Sequence, residues 1–127
     1  MNSVQILTIS ISAVAGMAFA GNNSPVVNDT GLGAVLTTEQ GMTLYMFTKD
    51  TDKTSACYGG CAAKWPPLLA DKNDAHPKAG YSTNKRTDGT YQWAYQGHPL
   101  YTWVNDQKAG DTSGEGVGGL WFVVTEK

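Results

Sequence analysis

The sequence predicts an all-β fold made of two related halves. The chain is rich in glycine, tyrosine, tryptophan and threonine, and it lacks the leucine-rich spacing of amphipathic helices. Such a composition favours short strands joined by tight turns. The chain also repeats itself, because a displacement of 56 residues aligns LYMFTKD at 44–50 with LYTWVND at 100–106. An internal repeat of this kind indicates a duplicated structural unit.

The aligned segments, 33–69 and 89–125, share eight identities in 37 positions without a gap. Unrelated segments would share roughly two or three. We interpret them as two hairpin-plus-strand units that pack with pseudo-twofold symmetry and are joined by a polar connection at 70–88. The identical pairs are Gly33 and Gly89, Gln40 and Gln96, Gly41 and Gly97, Leu44 and Leu100, Tyr45 and Tyr101, Asp50 and Asp106, Gly60 and Gly116, and Trp65 and Trp121.

Turn residues mark the strands of the second copy. Asp88-Gly89 is a hairpin signal, and it precedes a predicted strand at 90–95 whose aromatic residues alternate and therefore share one face. Gln96-Gly97 then supplies a glycine that tolerates positive φ in a tight reversal. The alternation of side chains resumes afterwards and predicts a second strand at 100–104.

The first copy follows the same plan. Its predicted strands span 35–38 and 44–47, on either side of Gln40-Gly41. Each copy then has a loop and a closing strand, at 65–69 in the first and at 120–125 in the second. We also expect a short helical turn near the loop that contains the cysteines.

The first twenty residues have the features of a signal peptide. They contain no charged side chain, are apolar from 6 to 17, and end in Ala18-Phe19-Ala20, which is an A-x-A cleavage site. A retained transmembrane helix is the alternative, although the stretch is short for a span and is interrupted by serine and threonine. We therefore expect a periplasmic or secreted product, residues 21–127, that forms a single domain without a membrane span.

The charge pattern argues against two classes of partner. Nine basic and eleven acidic side chains are dispersed along the chain without a run of either sign. Binding to nucleic acid or to a membrane surface depends on a concentrated basic patch, so neither partner is expected.

Cys57 and Cys61 are the two cysteines of the chain, and Gly59-Gly60 lies between them. An even number of cysteines in an exported chain indicates a disulfide, and the glycines allow the tight reversal that the bond needs. The alternative is a Cu(I) site formed by the two thiolates with methionine or histidine. Its further ligands would come from Met42, Met46, His76 or His98, although a solvated loop position is the default for both histidines. No resident cofactor is expected.

The repeated motif is Tyr-x-aromatic-x-x-Asp. Tyr45 and Phe47 in one copy, and Tyr101 and Trp103 in the other, lie two residues apart and share a strand face, so they are expected to pack against a neighbouring element. Asp50 and Asp106 follow where strand pairing stops, and a carboxylate there commonly accepts backbone N–H groups of the next loop. Alternatively the two Asp residues face each other across the pseudo-twofold axis and form a metal or acid–base site.

Motifs of known catalytic sites are missing from the sequence. It has no serine-nucleophile motif, no H-E-x-x-H and no phosphate-binding loop, and the segment that begins at Asp50 lacks the glycine and the glutamate of an EF-hand. We therefore predict a protein that is not an enzyme. Aromatic side chains are its candidate ligand contacts, for glycan, haem or a protein partner, or else they form the core. These residues are Tyr58, Tyr91, Trp93 and Tyr95.

Taken together, the motifs resemble a bacterial secreted-repeat family, described as predicted lipoproteins with a conserved Y-x-(F/W/Y)-x-x-D motif. The resemblance covers about 27–124. It is carried by both Tyr-x-aromatic-x-x-Asp segments, by the stretch from Cys57 to Trp65-Pro66-Pro67, by Arg86-Thr87-Asp88-Gly89, by Gly97-His98-Pro99-Leu100-Tyr101 and by 110–116, GDTSGEG. It implies a two-repeat, exported envelope protein whose role is not established. Because no cysteine follows the apolar leader, we expect a soluble form rather than a lipoprotein.

These observations predict a monomeric binding or structural module of the cell envelope, with an unknown envelope ligand or protein as partner. A periplasmic copper-binding or thiol-redox accessory protein that uses Cys57 and Cys61 is the alternative. A hydrolase is a third hypothesis and requires Asp50 and Asp106 to line one cleft.

Overall fold

The computed structural model describes residues 23–71 and 79–126. The predicted signal peptide, His76 and the middle of the predicted connection lie outside these ranges. The described elements, in chain order, are β1 (Val26–Thr30), β2 (Gly33–Thr37), β3 (Tyr45–Phe47), α1 (Gly60–Lys64), β4 (Leu69–Ala70), β5 (Tyr81–Lys85), β6 (Tyr91–Tyr95), β7 (His98–Pro99), a 3-10 helix (Val117–Gly119) and β8 (Trp121–Val123).

The predicted all-β fold is confirmed. All strand pairs are antiparallel: β1 with β2, β3 with β8, and a sheet in which β6 lies between β4 and β5 and also pairs with β7. The helix α1 has five residues and begins inside the cysteine loop, which confirms the helical turn expected there. Within 23–71 and 79–126, no helix has the length and apolar character that crossing a membrane requires.

Each copy contains a strand that precedes the predicted repeat. β1 pairs with β2, and β5 pairs with β6, so both copies start with a hairpin of five-residue strands. β5 lies within the segment 70–88 that we expected to be a polar connection. The sequences VVNDT and YSTNK lack apolar alternation because both strands lie at the edge of their sheets, where much of the side-chain surface is only partly covered or exposed.

The two hairpins superpose with one residue of difference. Val26 pairs with Thr37 in the way that Ser82 pairs with Ala94, so β5 follows β1 by 56 residues while β6 follows β2 by 57. The ungapped alignment therefore places Leu36 opposite Gln92, whereas its structural equivalent in the second copy is Trp93. The second copy has one extra residue in its β5–β6 turn, and the first copy has one extra residue in its β2–β3 turn, so the offset of 56 applies again from Leu44 and Leu100 onward.

The closing segments are exchanged between the copies. β8 of the second copy pairs with β3 of the first, and β4 of the first copy pairs with β6 of the second. The backbone bonds repeat this exchange symmetrically: Leu36 N–H donates to Val124 C=O at 2.7 Å, and Trp93 N–H donates to Leu68 C=O at 2.9 Å. Neither copy can therefore complete its own sheet.

The segments 100–104 and 65–69, predicted as strands of the second and the first copy respectively, do not form continuous strands. Thr102 N–H donates to Pro66 C=O at 2.8 Å, and Val104 N–H donates to Lys64 C=O at 3.1 Å. Pro66 and Pro67 have no N–H to return these bonds, so a continuous ladder cannot form. The regular strands here are only β4 and β7, of two residues each.

The core consists of two clusters, and each one draws on both copies. The first contains Leu36, Leu44, Leu68, Trp93, Tyr95, Leu100 and Val124. The second contains Tyr45, Phe47, Cys57, Trp65, Tyr101 and Trp121. Most members occur as symmetry-related pairs, such as Leu44 with Leu100 and Leu68 with Val124. Burial of the interior is thus shared between the repeats.

Candidate functional site

The tyrosines of the repeated motif bind the aspartates of the opposite copy. Tyr45 Oη donates to Asp106 Oδ2 at 2.6 Å, and Tyr101 Oη donates to Asp50 Oδ2 at 2.7 Å. The two tyrosines also exchange backbone bonds, with N···O distances of 2.8 and 3.0 Å. The pseudo-twofold axis therefore passes between Tyr45 and Tyr101, and the motif joins the copies.

The second oxygen of each carboxylate organises the loop that follows it. Asp50 Oδ1 accepts the N–H of Ala56 at 2.7 Å. Asp106 Oδ1 accepts the N–H of Ser113 at 2.9 Å and the hydroxyl of Ser113 at 2.6 Å. This is the backbone-accepting role that we predicted for an Asp at a strand exit. Each carboxylate is thus bound to its own loop and to a different tyrosine.

The aromatic residues of the motif form the ends of a four-ring stack. The order is Phe47, Trp121, Trp65, Trp103, with successive centroids 4.2, 3.8 and 3.9 Å apart. The two central indoles are parallel within 2°. Tyr45 and Tyr101 meet the stack edge-on, at 5.4 Å from Trp65 and 5.2 Å from Trp121 respectively. Tyr45, Tyr101 and Phe47 are buried and Trp103 is half-buried, so the motif acts mainly in folding.

Burial governs the ionisation of these groups. It raises the pKa of both phenols, Tyr45 and Tyr101, well above the usual range, and the accepting carboxylates raise it further. Burial also raises the pKa of the Asp50 carboxyl, although the bonds from Ala56 and Tyr101 and the charge of Arg86 oppose that increase. Both phenols therefore remain protonated donors at neutral pH.

Arg86 is a buried cation at the junction of the copies, and the sequence patterns did not indicate a role for it. Only 5% of its surface is exposed. Its Nη1 donates to Gln92 Oε1 at 2.8 Å and to Ser55 Oγ at 3.1 Å, and its Nη2 donates to Cys57 C=O at 2.9 Å. Its guanidinium also lies over the ring of Tyr58, 4.3 Å from the centroid.

Two hydroxyls connect Arg86 with Asp50. Ser55 Oγ accepts bonds from Arg86 Nη1 and from Cys57 N–H, so its own proton is available to Tyr101 Oη at 2.7 Å. Because Tyr101 donates its proton to Asp50, Ser55 is the donor in that contact. The order of donation is therefore Arg86, Ser55, Tyr101, Asp50, and we call these four residues the Arg86 relay.

The first copy has no equivalent relay. Thr30 occupies the position that corresponds to Arg86, and Val35 corresponds to Gln92. There, Tyr45 Oη accepts the N–H of Gly114 at 3.1 Å in place of a serine hydroxyl. A comparison of the copies would have revealed this difference. The second copy has the polar residues Arg86 and Gln92 at positions where the first copy has threonine and valine.

The predicted disulfide is confirmed. Cys57 and Cys61 are bonded, with Cα atoms 5.3 Å apart, and Cys57 is fully buried. The bond anchors the loop whose carbonyl at Cys57 accepts Arg86. Because both cysteines are in the disulfide, neither is available as a thiolate ligand for copper. Of the other proposed ligands, His98 is exposed and Met42 is half-buried in the turn after β2. Groups of three or more His, Cys, Asp or Glu with metal-binding geometry are not found within the described ranges.

A family model described as a secreted repeat of unknown function matches residues 26–69 and 82–125. The chain belongs to this secreted-repeat family. The two matched segments start in or at the paired edge strands β1 and β5 and end with the exchanged closing segments, so each one covers a structural copy. The family is described as secreted, which is consistent with an exported protein. Comparisons with curated proteins and with solved structures found no match.

Two of the four candidate ligand-contact residues of this secreted-repeat protein belong to its core. Trp93 is 1% exposed and Tyr95 is 3% exposed, because the β6 face that we expected to be open to a ligand is covered by the other copy. Tyr91 and Tyr58 are half-buried. Tyr58 contacts Arg86 on the Gln92 side of β6, whereas Tyr91 projects from the opposite face, so the two do not form one surface.

Proposed function

We propose that this secreted-repeat protein is a non-enzymatic binding or structural module of the cell envelope. The observation that carries the proposal is the reciprocal bonding of the repeated motif. Asp50 and Asp106, the strongest candidates for acid–base chemistry in the sequence, are bonded to Tyr101 and Tyr45 and to backbone or side-chain groups of their loops. A general base needs a lone pair that can reach a substrate.

Export supports the same proposal. The family is described as secreted, the leader has an A-x-A site before Gly21, and the single disulfide is of the kind that persists in oxidising compartments. A module held by a disulfide and by an interlocked core is suited to conditions outside the cytoplasm, where chaperones and reductants are scarce. A periplasmic location is part of the proposal.

Complementation in the native host tests the proposal. A strain that lacks the gene is expected to show altered permeability of the envelope, measured by sensitivity to detergent and to lysozyme. The full chain should restore the wild-type response, and so should a variant with Asp50→Asn and Asp106→Asn that retains the native circular dichroism spectrum. A chain without residues 1–20 should not. Restoration by the leaderless chain, or loss with the folded double variant, would contradict the proposal.

The copper-binding or thiol-redox alternative is tested on protein purified from the envelope. Our proposal predicts no reactive thiol and a mass that does not change when Cu(I) is added. Two reactive thiols per chain with one bound copper would favour the alternative. A control with Cys57→Ser and Cys61→Ser identifies copper that binds elsewhere. We also expect the protein to be monomeric in light scattering.

A further inference from the structure

A small cavity lies beside the Arg86 relay, on the face of β6 opposite Trp93. Its volume is about 10 Å³, and Lys53, Ser55, Asn84, Lys85, Arg86, Gln92, Ala94 and Pro99 line it. This is the space that a single water-sized particle needs. Asn84 and Gln92 pair directly across β5 and β6 and form its floor, and the loop after Asp50 covers it.

Donors with unused hydrogen-bonding capacity are present among the lining groups. Ser55 Oγ already accepts two bonds and donates one, and Gln92 accepts from Arg86 and donates to Leu100 C=O at 2.8 Å. The oxygen of Asn84 accepts the hydroxyl of Ser82 at 2.9 Å, which leaves the Asn84 amide N–H groups. Asn84 can therefore donate to an acceptor in the cavity.

Arg86 supplies a second, independent observation. Its Nε is buried and has no hydrogen-bond acceptor within the described ranges. Asp88 is the nearest carboxylate, but its Oδ2 is 3.8 Å from Nε, which is too long for a hydrogen bond, and its side chain is 53% exposed. A buried charged donor without an acceptor is costly, so an acceptor at this point would stabilise the fold.

The charge of the lining has the same sign throughout. Lys53, Lys85 and Arg86 are cationic, and no carboxylate lines the cavity. Salt bridges from Lys53 or Lys85 are not formed in the part of the chain that the structure describes. Asp50 offsets part of the Arg86 charge from the other end of the relay. Lys53 also has φ of 58°, a backbone conformation uncommon for a lysine, and its N–H is held by Gly97 C=O at 2.8 Å.

We propose that this cavity is a binding site for a small inorganic anion of about the size of chloride. Arg86 Nε and the Asn84 amide would donate to it from the interior, and the ammonium groups of Lys53 and Lys85 would attract it at the mouth. The first copy has no equivalent site, because Thr30 and Val35 replace Arg86 and Gln92 there. It does not depend on the proposed role in the envelope.

Thermal unfolding of the mature chain tests the site, with sodium gluconate replaced by sodium chloride at constant ionic strength. We expect a saturable increase in Tm of about 6 °C when chloride is ten times its dissociation constant. The double variant Lys53→Met and Lys85→Met should need at least tenfold more chloride. Lys64→Met with Lys108→Met removes the same charge outside the cavity and should respond like the wild type. An equal effect of both salts, or equal losses in both double variants, would overturn the proposal.

Two further measurements keep the test independent of folding defects. Asn84→Asp places a carboxylate in the cavity and retains the bond from Ser82, so it should raise Tm in chloride-free buffer and abolish the response to chloride. Crystals grown in sodium bromide should show an anomalous peak beside Arg86 Nε. A cavity that contains only water, without an anomalous peak, would overturn the proposal.

Discussion

Tyr45 and Tyr101 connect the two copies through their hydroxyls as well as through their backbones. Each phenol is fully buried and donates to a carboxylate that lies 61 or 51 residues away in the sequence. A hydrogen bond to a charged acceptor contributes more than one between neutral groups, and its loss leaves a carboxylate with too few donors. The motif tyrosines are therefore expected to stabilise the interface between the copies.

Replacement of Tyr101 by phenylalanine should lower the free energy of unfolding by about 2 kcal/mol, because Asp50 and Ser55 both lose a buried partner. Equilibrium unfolding in urea measures the change. Tyr91→Phe is the matched control, since Tyr91 is only half-buried at the start of β6, and it should change stability by no more than about 0.5 kcal/mol. Equal effects of the two substitutions would show that the hydroxyl of Tyr101 has no special role.

The same phenols predict sensitivity to alkali. Burial holds the pKa of Tyr45 and Tyr101 above the unfolded value of about 10, so the unfolded chain releases phenolic protons that the folded chain retains. Their contribution is complete below pH about 10 and is lost as the pH rises above it. Each tyrosine should reduce the free energy of unfolding by about 1.4 kcal/mol per pH unit in that range.

Urea unfolding from about pH 8 to about pH 11, a range that spans the ordinary pKa of tyrosine, measures this dependence. The Tyr101→Phe variant lacks one of the titrating groups, so its stability should fall less steeply by about 1.4 kcal/mol per pH unit. Tyr81, whose pKa is also raised by burial and by Glu126, contributes to both proteins and cancels in the comparison. Parallel curves would contradict the prediction.

At the scale of elements, the cysteine loop and α1 support the Arg86 relay. The disulfide closes a five-residue segment, and the loop presents Ser55 Oγ and Cys57 C=O to the guanidinium. α1 has only five residues, and a helix of that length is not stable on its own. The disulfide and the buried Arg86 therefore stabilise each other's surroundings.

Replacement of Cys57 and Cys61 by alanine should lower the free energy of unfolding by about 2 kcal/mol, the value that the chain-entropy model gives for so short a loop. Unfolding in guanidinium chloride, with and without a reductant, measures the change. The wild type should lose a similar amount when reduced, whereas the variant should not respond. A wild type whose thiols become reactive without any loss of stability would contradict this expectation.

At the scale of the whole molecule, the exchange of closing strands makes the two copies dependent on each other. β8 completes the sheet of the first copy, and β4 adds to the sheet of the second. The indoles of Trp65 and Trp121 also come from different copies and stack at 3.8 Å on the pseudo-twofold axis. A single copy would expose this interior to water, which opposes folding.

A chain divided within the connection tests this dependence. Fragments 21–74 and 75–127 should each be unfolded alone, as judged by circular dichroism and by the dispersion of amide NMR signals. An equimolar mixture should recover the spectrum of the intact chain, because each fragment supplies the other's missing strand. A fragment with a dispersed spectrum of its own would show that a copy folds independently.

Much of the architecture was predictable from the chain alone. The strand class, the duplication and the disulfide follow from local composition and from the comparison of positions along the sequence, such as Tyr45 with Tyr101 or Cys57 with Cys61. Each of these depends on neighbours in the chain, where spacing determines which residues share a face or meet in a turn. The edge strands β1 and β5 were missed because they lack alternation of apolar and polar residues.

The choice of partners required three-dimensional information. Two similar copies offer chemically equivalent partners, so a sequence pattern cannot distinguish a tyrosine that binds its own Asp from one that binds the Asp of the other copy. Burial of Arg86 and of Trp93 depends in the same way on which surfaces the interlocked copies cover. Local spacing therefore specifies the elements, while long-range packing specifies which elements meet and which polar groups lose access to water.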